Sequence, residues 1–564
     1  MARTISIGAQ GFEDLRTNGY FYVDKTGFVR DWWRSGDVVT LICRPRRFGK
    51  TLNLDTVRCF LSTELAGRGG ELFGGLEVWA DPGMRELQGT VPVVSLSFAR
   101  VKGTTYAETL AGLRRVIRVA VEAHGYLRES DALTDGDRAF LDRVSDDMPA
   151  EVAVDAINQL CAMLRRHHGT APVVLLDEYD APMEVAWTRG YWDEASAFMR
   201  QLMNATFKTN PAMGRGLITG VTRVSRESIF SDLNNLVVVT TSIPLYQECF
   251  GFTQAEVDAA LDEYGLADRR DDVRRWYDGF VFDGHAHIYN PWSLTQFLQF
   301  GEFRAYWANT SGNGLVSEVV RRGDRRLKAD FEVLLSGGEV EKVIDEQVVF
   351  SELATVPNAV WALLLAAGYV TSPGSVPKFV ETTPRPLRLT NKEVRLAFDR
   401  MVQGWFDEAA SDYGEFADAL LAGDAEAMGD YLSEVALACA SSFDSATRPS
   451  ERSEPERFYH GLVLGLLVSL RGRYSVESNR ESGYGRYDVA LVPTDGAQGA
   501  DPAVVIEFKV FDPCREETLA DTVARARAQI EERAYAAGLA VRGIAPERIR
   551  TYGIAFRGKE VLVG

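Results

Sequence analysis

Short apolar runs alternate with amphipathic stretches over the first three hundred residues. Val38–Cys43, Val91–Phe98, Val173–Leu176, Gly216–Val221 and Leu236–Thr241 are bounded by polar or turn-forming residues and read as buried strands. Helical spacing appears between them near Ala107–His124, Asp155–Arg166 and Asp193–Asn204. The alternation predicts an α/β fold with a parallel sheet covered by helices. Asn290-Pro291-Trp292-Ser293 reads as a cap opening the next helix, with proline at its first position. From about 291 to 440 the pattern is mostly helical, with long runs at Pro357–Gly368 and Glu415–Cys439. A stretch rich in Ser, Arg, Glu and Pro, Ser441–Glu456, marks a boundary. Beyond it the order becomes helix (Glu456–Leu470), strand (Tyr474–Glu477), strand (Arg486–Val492), strand (Ala503–Val510), helix (Leu519–Ala537) and strand (Tyr552–Phe556). The domains expected from this are 1–290, 291–445 and 446–564, with no internal repeat.

With 564 residues, 46% of them hydrophobic and 25% charged, the chain exceeds what one core supports. No apolar stretch approaches the roughly 20 residues that span a bilayer. The start, Met-Ala-Arg-Thr-Ile-Ser, lacks the pattern of a secretory signal. The six cysteines form no CxxC pair, so neither a disulfide framework nor a zinc site is signalled. No membrane association and a cytoplasmic location are expected. A net charge of −18 argues against a nonspecific coat on nucleic acid, though not against a local basic groove. The cluster Arg269, Arg270, Arg274 and Arg275 reads as solvated surface charge.

Chemistry first appears at Arg44–Thr51, R-P-R-R-F-G-K-T, which follows one apolar run and opens a helical one. This is a phosphate-binding loop in which arginine stands at the first glycine position. Backbone N–H groups of Arg46, Arg47, Phe48 and Gly49 would cradle phosphates, Lys50 would reach the outer ones, and Thr51 would ligate Mg²⁺. Arg44 before Pro45 predicts an extended start to the loop, with Arg46 or Arg47 adding side-chain charge. A nucleotide site also needs an acidic strand end. Pro172–Glu178 supplies it, with Asp177 holding Mg²⁺ and Glu178 polarising the attacking water. After the strand Gly216–Val221 come Thr222, Arg223 and Arg226, candidates to touch the γ-phosphate. ATP and Mg²⁺ are the expected cofactors.

A second acidic constellation lies in the last hundred residues. Asp488 belongs to one strand and Glu507-Phe508-Lys509 to the next. Period two places Glu507 and Lys509 on one face and Phe508 on the other. Asp488 and Glu507, with a carbonyl near Phe508, suit a Mg²⁺ ion that hydrolyses phosphodiesters. Lys509 would position the water or stabilise the transition state. His285 and His287 have metal-ligand character but no companions, and a loop role is expected for them.

The segments 21–26 (F-Y-V-D-K-T), 44–51, 177–182 (D-E-Y-D-A-P), 220–235 (G-V-T-R-V-S-R-E-S-I-F-S-D-L-N-N) and 289–293 (Y-N-P-W-S) together resemble the AAA-ATPase-like family of bacteria and archaea. Members typically carry a PD-(D/E)XK nuclease-like domain at the C-terminus, whose element order α-β-β-β-α-β is the one read above. The resemblance implies that arginine at position 44 is ordinary and that Asp24-Lys25-Thr26 lies near the nucleotide. It further suggests Glu456 and Gln529 as auxiliary residues of the nuclease site. The expected protein is an ATPase with a Mg²⁺-dependent nuclease acting on nucleic acid, DNA first. An arginine donated by a neighbouring copy would require a homo-oligomer. The alternative is a nucleotide-dependent switch whose C-terminal domain binds nucleic acid or a protein without cutting.

Overall fold

The computed structural model describes residues 2–222, 229–230, 233–307, 325–335, 337–345, 359–374, 383–398, 413–439, 463, 467–470, 473–478, 481–482, 485–486, 488–494, 501–513, 515–533, 535–540, 542–557 and 560–564. The chain forms two compact units, Met1–Asp324 with Val333–Ala397, and Arg325–Glu332 with Phe398–Gly564. Among the described residues no helix is long and apolar enough to cross a membrane.

The first unit is built on a parallel sheet of β1 (Val39–Cys43), β2 (Val93–Ser97), β3 (Val173–Asp177), β4 (Arg215–Gly220) and β5 (Leu236–Val239), in the order β2-β3-β4-β1-β5. Each lies within two residues of the run that predicted it. All five residues of β1 and of β3 are buried, as strands covered on both faces must be. The three predicted helices appear at Tyr106–Glu122, Ala150–His168 and Trp192–Met203. Because the strands are parallel, Cys43, Asp177 and Gly220 end on the same edge of the sheet, where ligands bind in open α/β folds. The expected cap is present: Asn290 Oδ1 accepts from Trp292 N and Ser293 N at the start of the helix Pro291–Phe300.

A small sheet of β6 (Phe252–Thr253), β7 (Asp278–Phe282) and β8 (His285–Tyr289) follows, in the order β6-β8-β7. Among its described residues, the stretch read as mostly helical holds three strands besides its helices: β9 (Val340–Lys342), β10 (Val370–Thr371) and β11 (Arg385–Leu389). β9 and β10, of three and two residues, are too short for a period of two to register, and in β11, R-P-L-R-L, a proline and two arginines obscure the alternation. The run Glu415–Cys439 is two helices, Tyr413–Ala422 and Ala425–Cys439, separated at Gly423 with φ +87°.

Residues beyond 290 belong with the first unit for a packing reason. Gly368 lies where a Cβ would meet Phe280 and Pro45 at 2.8 and 3.0 Å. The buried Glu393 carboxylate accepts from Ser293 Oγ (2.8 Å) and from Trp307 N. Residues well beyond 290 therefore complete the core around the phosphate loop.

The second unit contains a mixed sheet of β12 (Tyr474–Ser478), β15 (Val489–Pro493), β16 (Ala503–Val510), β17 (Ile549–Arg557) and β18 (Glu560–Val563) in that order, with the hairpin β13 (Glu481–Ser482) and β14 (Gly485–Arg486) beside it. Among the described residues of this sheet, β16 and β17 pair in parallel and the other neighbours antiparallel. β18 was not anticipated. Val504, Ile506 and Phe508 pack into one core, and Ala503 and Val505 into another with Ile530 and Tyr535. The expected alternation along β16 therefore holds. Of the helix expected at Glu456–Leu470, the described part is Val463 and a 3₁₀ turn, Leu467–Leu470.

Candidate functional site

In the first unit β1 leads into the loop and the helix Lys50–Leu61. The turn needs left-handed backbone at Arg47 (φ +67°) and Gly49 (φ +79°). Lys50, 7% exposed, donates to the carbonyls of Arg44 and Pro45, both at 2.9 Å. Burial lowers the pKa of its ammonium, while Asp180, Asp177 and Glu178 act in the opposite direction. Asp177 joins two elements. Its Oδ2 accepts from Thr51 Oγ1 at 2.8 Å, and its Oδ1 from Thr219 Oγ1 at 2.5 Å. A hydroxyl and a carboxylate side by side are hard oxygen donors, the set a Mg²⁺ ion takes.

Glu178 stands in left-handed backbone, φ +49°, uncommon for a residue with a Cβ and characteristic of functional positions. Burial raises its carboxyl pKa and the neighbouring Asp177 adds to the rise. Thr222, after β4, is held through its N–H and hydroxyl by Asp180. Arg223, Arg226 and Glu456 lie outside the described residues.

The arginines of the loop divide their work. Arg44 is fully buried, and its guanidinium donates to the carbonyls of Cys43 (3.0 Å), Val239 (3.2 Å), Thr240 (2.7 Å) and Leu245 (3.0 Å). It thereby ties the loop to the end of β5. Arg46 pairs with Glu184 at 2.5 Å, and its carbonyl accepts from Asn290 Nδ2 and Trp307 Nε1 at 3.2 and 3.0 Å. The Arg47 guanidinium lies 4.2 Å over Trp292. Phe48 is buried beside Phe280 and Phe282, so its ring belongs to the core and only its main chain faces the loop.

Asp24-Lys25-Thr26 holds segments together. Asp24 accepts from Thr26 N (2.9 Å), Thr26 Oγ1 (2.6 Å) and Glu77 N (2.7 Å), while Lys25 pairs with Glu256 at 2.6 Å. His287 Nδ1 lies 2.5 Å from Asp278 Oδ2. The basic cluster is ion-paired surface: Arg270 contacts Asp258 and Asp262, and Arg269 and Arg275 contact Asp272. Sequence reasoning missed Thr219, Glu184, Trp307 and Glu393. Asp180 was within a quoted motif, but its role rests on tertiary contacts.

In the second unit four predicted residues meet. Asp488 Oδ2 accepts from Phe508 N at 2.9 Å, across from β15 to β16. Glu507 is 1% exposed, and its Oε1 accepts from Lys509 Nζ at 2.8 Å and from Gln529 Nε2 of the helix Leu519–Glu532. Lys509 Nζ also donates to the Phe508 carbonyl at 3.0 Å. Among the described residues no three His, Cys, Asp or Glu side chains form a ready metal cage. The donor set is two carboxylates and a carbonyl. Two of those donors already hold a cation, the Lys509 ammonium, so the set suits a Mg²⁺ ion, which commonly keeps several waters.

A phosphate loop with an acidic partner strand, and a D…E-x-K strand pair in the second unit, define the class: an ATPase-like module and a nuclease-like module in one chain. Residues 6–230 match the family described as predicted AAA-ATPase, and residues 454–564 match the PD-(D/E)XK nuclease superfamily. The chain thus carries an AAA-ATPase-like domain and a PD-(D/E)XK-superfamily domain. It is also 27% identical over 577 residues to a protein of Azotobacter chroococcum mcd 1 named "Uncharacterized protein in vnfD 5'region", an alignment spanning 100% of this chain and 98% of the relative.

Proposed function

We propose that the protein binds and hydrolyses ATP and that its C-terminal domain is a Mg²⁺-dependent nuclease acting on DNA under nucleotide control. The observation that carries the nuclease reading is the meeting of Asp488, Glu507, Lys509 and Gln529 at one strand pair. Bound Mg²⁺ would make water nucleophilic near neutral pH and offset charge on the phosphate. Asp488, Glu507 and the Phe508 carbonyl would hold it. Gln529 orients the Glu507 carboxylate. Lys509, once released from Glu507, would orient water or stabilise charge on the phosphate oxygens. At the first site Lys50 and the loop amides would bind the phosphates, Thr51 and Asp177 would hold Mg²⁺, and Glu178 would accept a proton from the attacking water.

The test is a paired assay on the full chain: phosphate release from ATP, and cleavage of single- and double-stranded DNA with and without Mg²⁺ and ATP. Lys50→Ala and Glu178→Gln are expected to lower ATP hydrolysis by about 10²-fold or more. Asp488→Asn and Lys509→Ala are expected to abolish cleavage while sparing ATP hydrolysis. Cleavage that survives both changes refutes the nuclease site. Nucleic-acid binding with no cleavage under any metal favours a switch that binds without cutting.

A further inference from the structure

The acidic motif has four polar members, Asp177-Glu178-Tyr179-Asp180, and the chemistry above employs only the first two. Asp180 is buried, and its Oδ2 accepts from Val221 N at 2.8 Å, Thr222 N at 3.0 Å and Thr222 Oγ1 at 3.2 Å. Tyr179 is fully buried, and its hydroxyl donates to the Thr222 carbonyl at 2.8 Å. The N–H, the hydroxyl and the carbonyl of Thr222 are therefore all engaged by two consecutive side chains. The Tyr179 ring also lies 5.1 Å from that of Phe230, and its N–H donates to the Thr219 carbonyl at 3.1 Å. Gly220 leaves room for this arrangement. A Cβ there would stand 2.5 Å from the Tyr179 ring and 3.0 Å from Asp180 Oδ1. On its other side the Asp180 carboxylate acts on the Lys50 ammonium together with Asp177 and Glu178.

We infer that Tyr179 and Asp180 are positioning residues that fix Thr222 at the phosphate end of the nucleotide site, so that turnover, but not nucleotide affinity, depends on them. The inference deepens the ATPase reading and rests on it. With its N–H and carbonyl held, Thr222 needs only to turn its hydroxyl, 3.2 Å from Asp180, to donate to a phosphate oxygen, whereas a threonine on a free strand end must be ordered each time. Affinity comes instead from Lys50, Thr51 and the loop amides; the hydrogen bonds of Asp180 go to Val221 and Thr222, and it reaches Lys50 through its charge, which is why the Asp180→Asn and Asp180→Ala variants are compared.

The experiment uses the full chain and the variants Asp180→Ala, Asp180→Asn and Tyr179→Phe. It measures kcat and KM for ATP, the Kd of a fluorescent ATP analogue, and hydrogen exchange at the amides of Val221 and Thr222 without nucleotide. Asp180→Ala is expected to lower kcat by about 10- to 100-fold with Kd changed less than about 3-fold, and to deprotect both amides. Asp180→Asn keeps an oxygen that accepts from those amides, so protection and most of the turnover return. Tyr179→Phe, a milder change that keeps the ring, is expected to lower kcat by about 3- to 10-fold. Amides that stay protected in Asp180→Ala overturn the inference, as does a loss of turnover fully matched by a loss of affinity. An Asp180→Asn variant as slow as Asp180→Ala also overturns it, assigning the effect to charge. A wild-type protein that hydrolyses no ATP defeats the ATPase reading instead, and the exchange measurement still decides whether Asp180 holds Thr222.

Discussion

Returning glycine to position 44, as phosphate loops ordinarily have it, is expected to damage this protein. Arg44→Gly removes a fully buried guanidinium that serves the carbonyls of Cys43, Val239, Thr240 and Leu245 and lies 5.0 Å from the Phe282 ring centroid. Hydrogen bonds with a charged partner are worth about 1.5–3 kcal/mol each. The sum is not the net effect, because burying the guanidinium cost solvation and water can reach some freed carbonyls. Breaking a buried charged network typically costs about 3–5 kcal/mol, and glycine adds roughly 0.4–1 kcal/mol of unfolded-state entropy. At about 2 °C per kcal/mol for a large unit, melting falls by roughly 7–12 °C. Scanning calorimetry of Arg44→Gly and Arg44→Lys beside wild type measures it, with nucleotide affinity read in parallel. Lysine keeps the charge without the fork, so it should recover less than half of the loss. An Arg44→Gly protein that melts with wild type and binds ATP more tightly would refute the reasoning, because Arg44 would then be an obstruction to phosphate.

Three further outcomes are open to direct measurement. His124 is buried beside His168, and burial together with that neighbour depresses its pKa to about 4 from 6.5. A depressed histidine contributes stability above its unfolded value that is lost as pH falls through the folded one, so up to about 3 kcal/mol should disappear between pH 6.5 and 4. A His124→Gln variant should show a flatter acid limb in melting temperature against pH. Burial and Asp177 raise the Glu178 carboxyl, so its protonated form favours the fold below about pH 4.3 and that contribution is lost as pH rises through the folded value. Turnover runs the other way: kcat should climb with pH along a limb displaced above the ordinary carboxylate range, and Glu178→Gln should abolish that limb. Gly220→Ala puts a methyl 2.5 Å from the Tyr179 ring and should destabilise by about 1–3 kcal/mol, read by urea unfolding.

The parallel sheet was legible because its strands are short, apolar and bounded by polar turns, and β1 and β3 are buried on both faces. Both acidic sites were legible because their residues sit at strand ends or at a spacing of two, where local geometry fixes the side chain's direction. Glu507 and Lys509 illustrate this: alternation alone places them opposite Phe508. What stayed hidden depends on contacts far apart in sequence. Arg44 stood out as the residue at the first glycine position of the loop, yet its partners at 239–245 are set by the pairing of β1 with β5. Trp307 reaches the Arg46 carbonyl from more than two hundred and fifty residues away. A pattern of hydrophobicity carries no record of such a pairing.

The two sites share one physical device. Lys50 is buried and gives its ammonium to the carbonyls of Arg44 and Pro45, beside Asp177, Glu178 and Asp180. Lys509 gives its ammonium to Glu507 and the Phe508 carbonyl. Clustered carboxylates in a low dielectric repel one another and resist ionisation unless a cation lies among them. The lysine supplies that cation from within the chain, so the oxygen donors stay grouped and directed before any divalent ion arrives. On the proposed activities it also sets a condition: each ammonium would exchange its contacts with the chain for contacts with phosphate or water. An arginine in either place would hold the oxygens in a planar fork and give them up less readily, whereas a lysine is a single mobile point of charge.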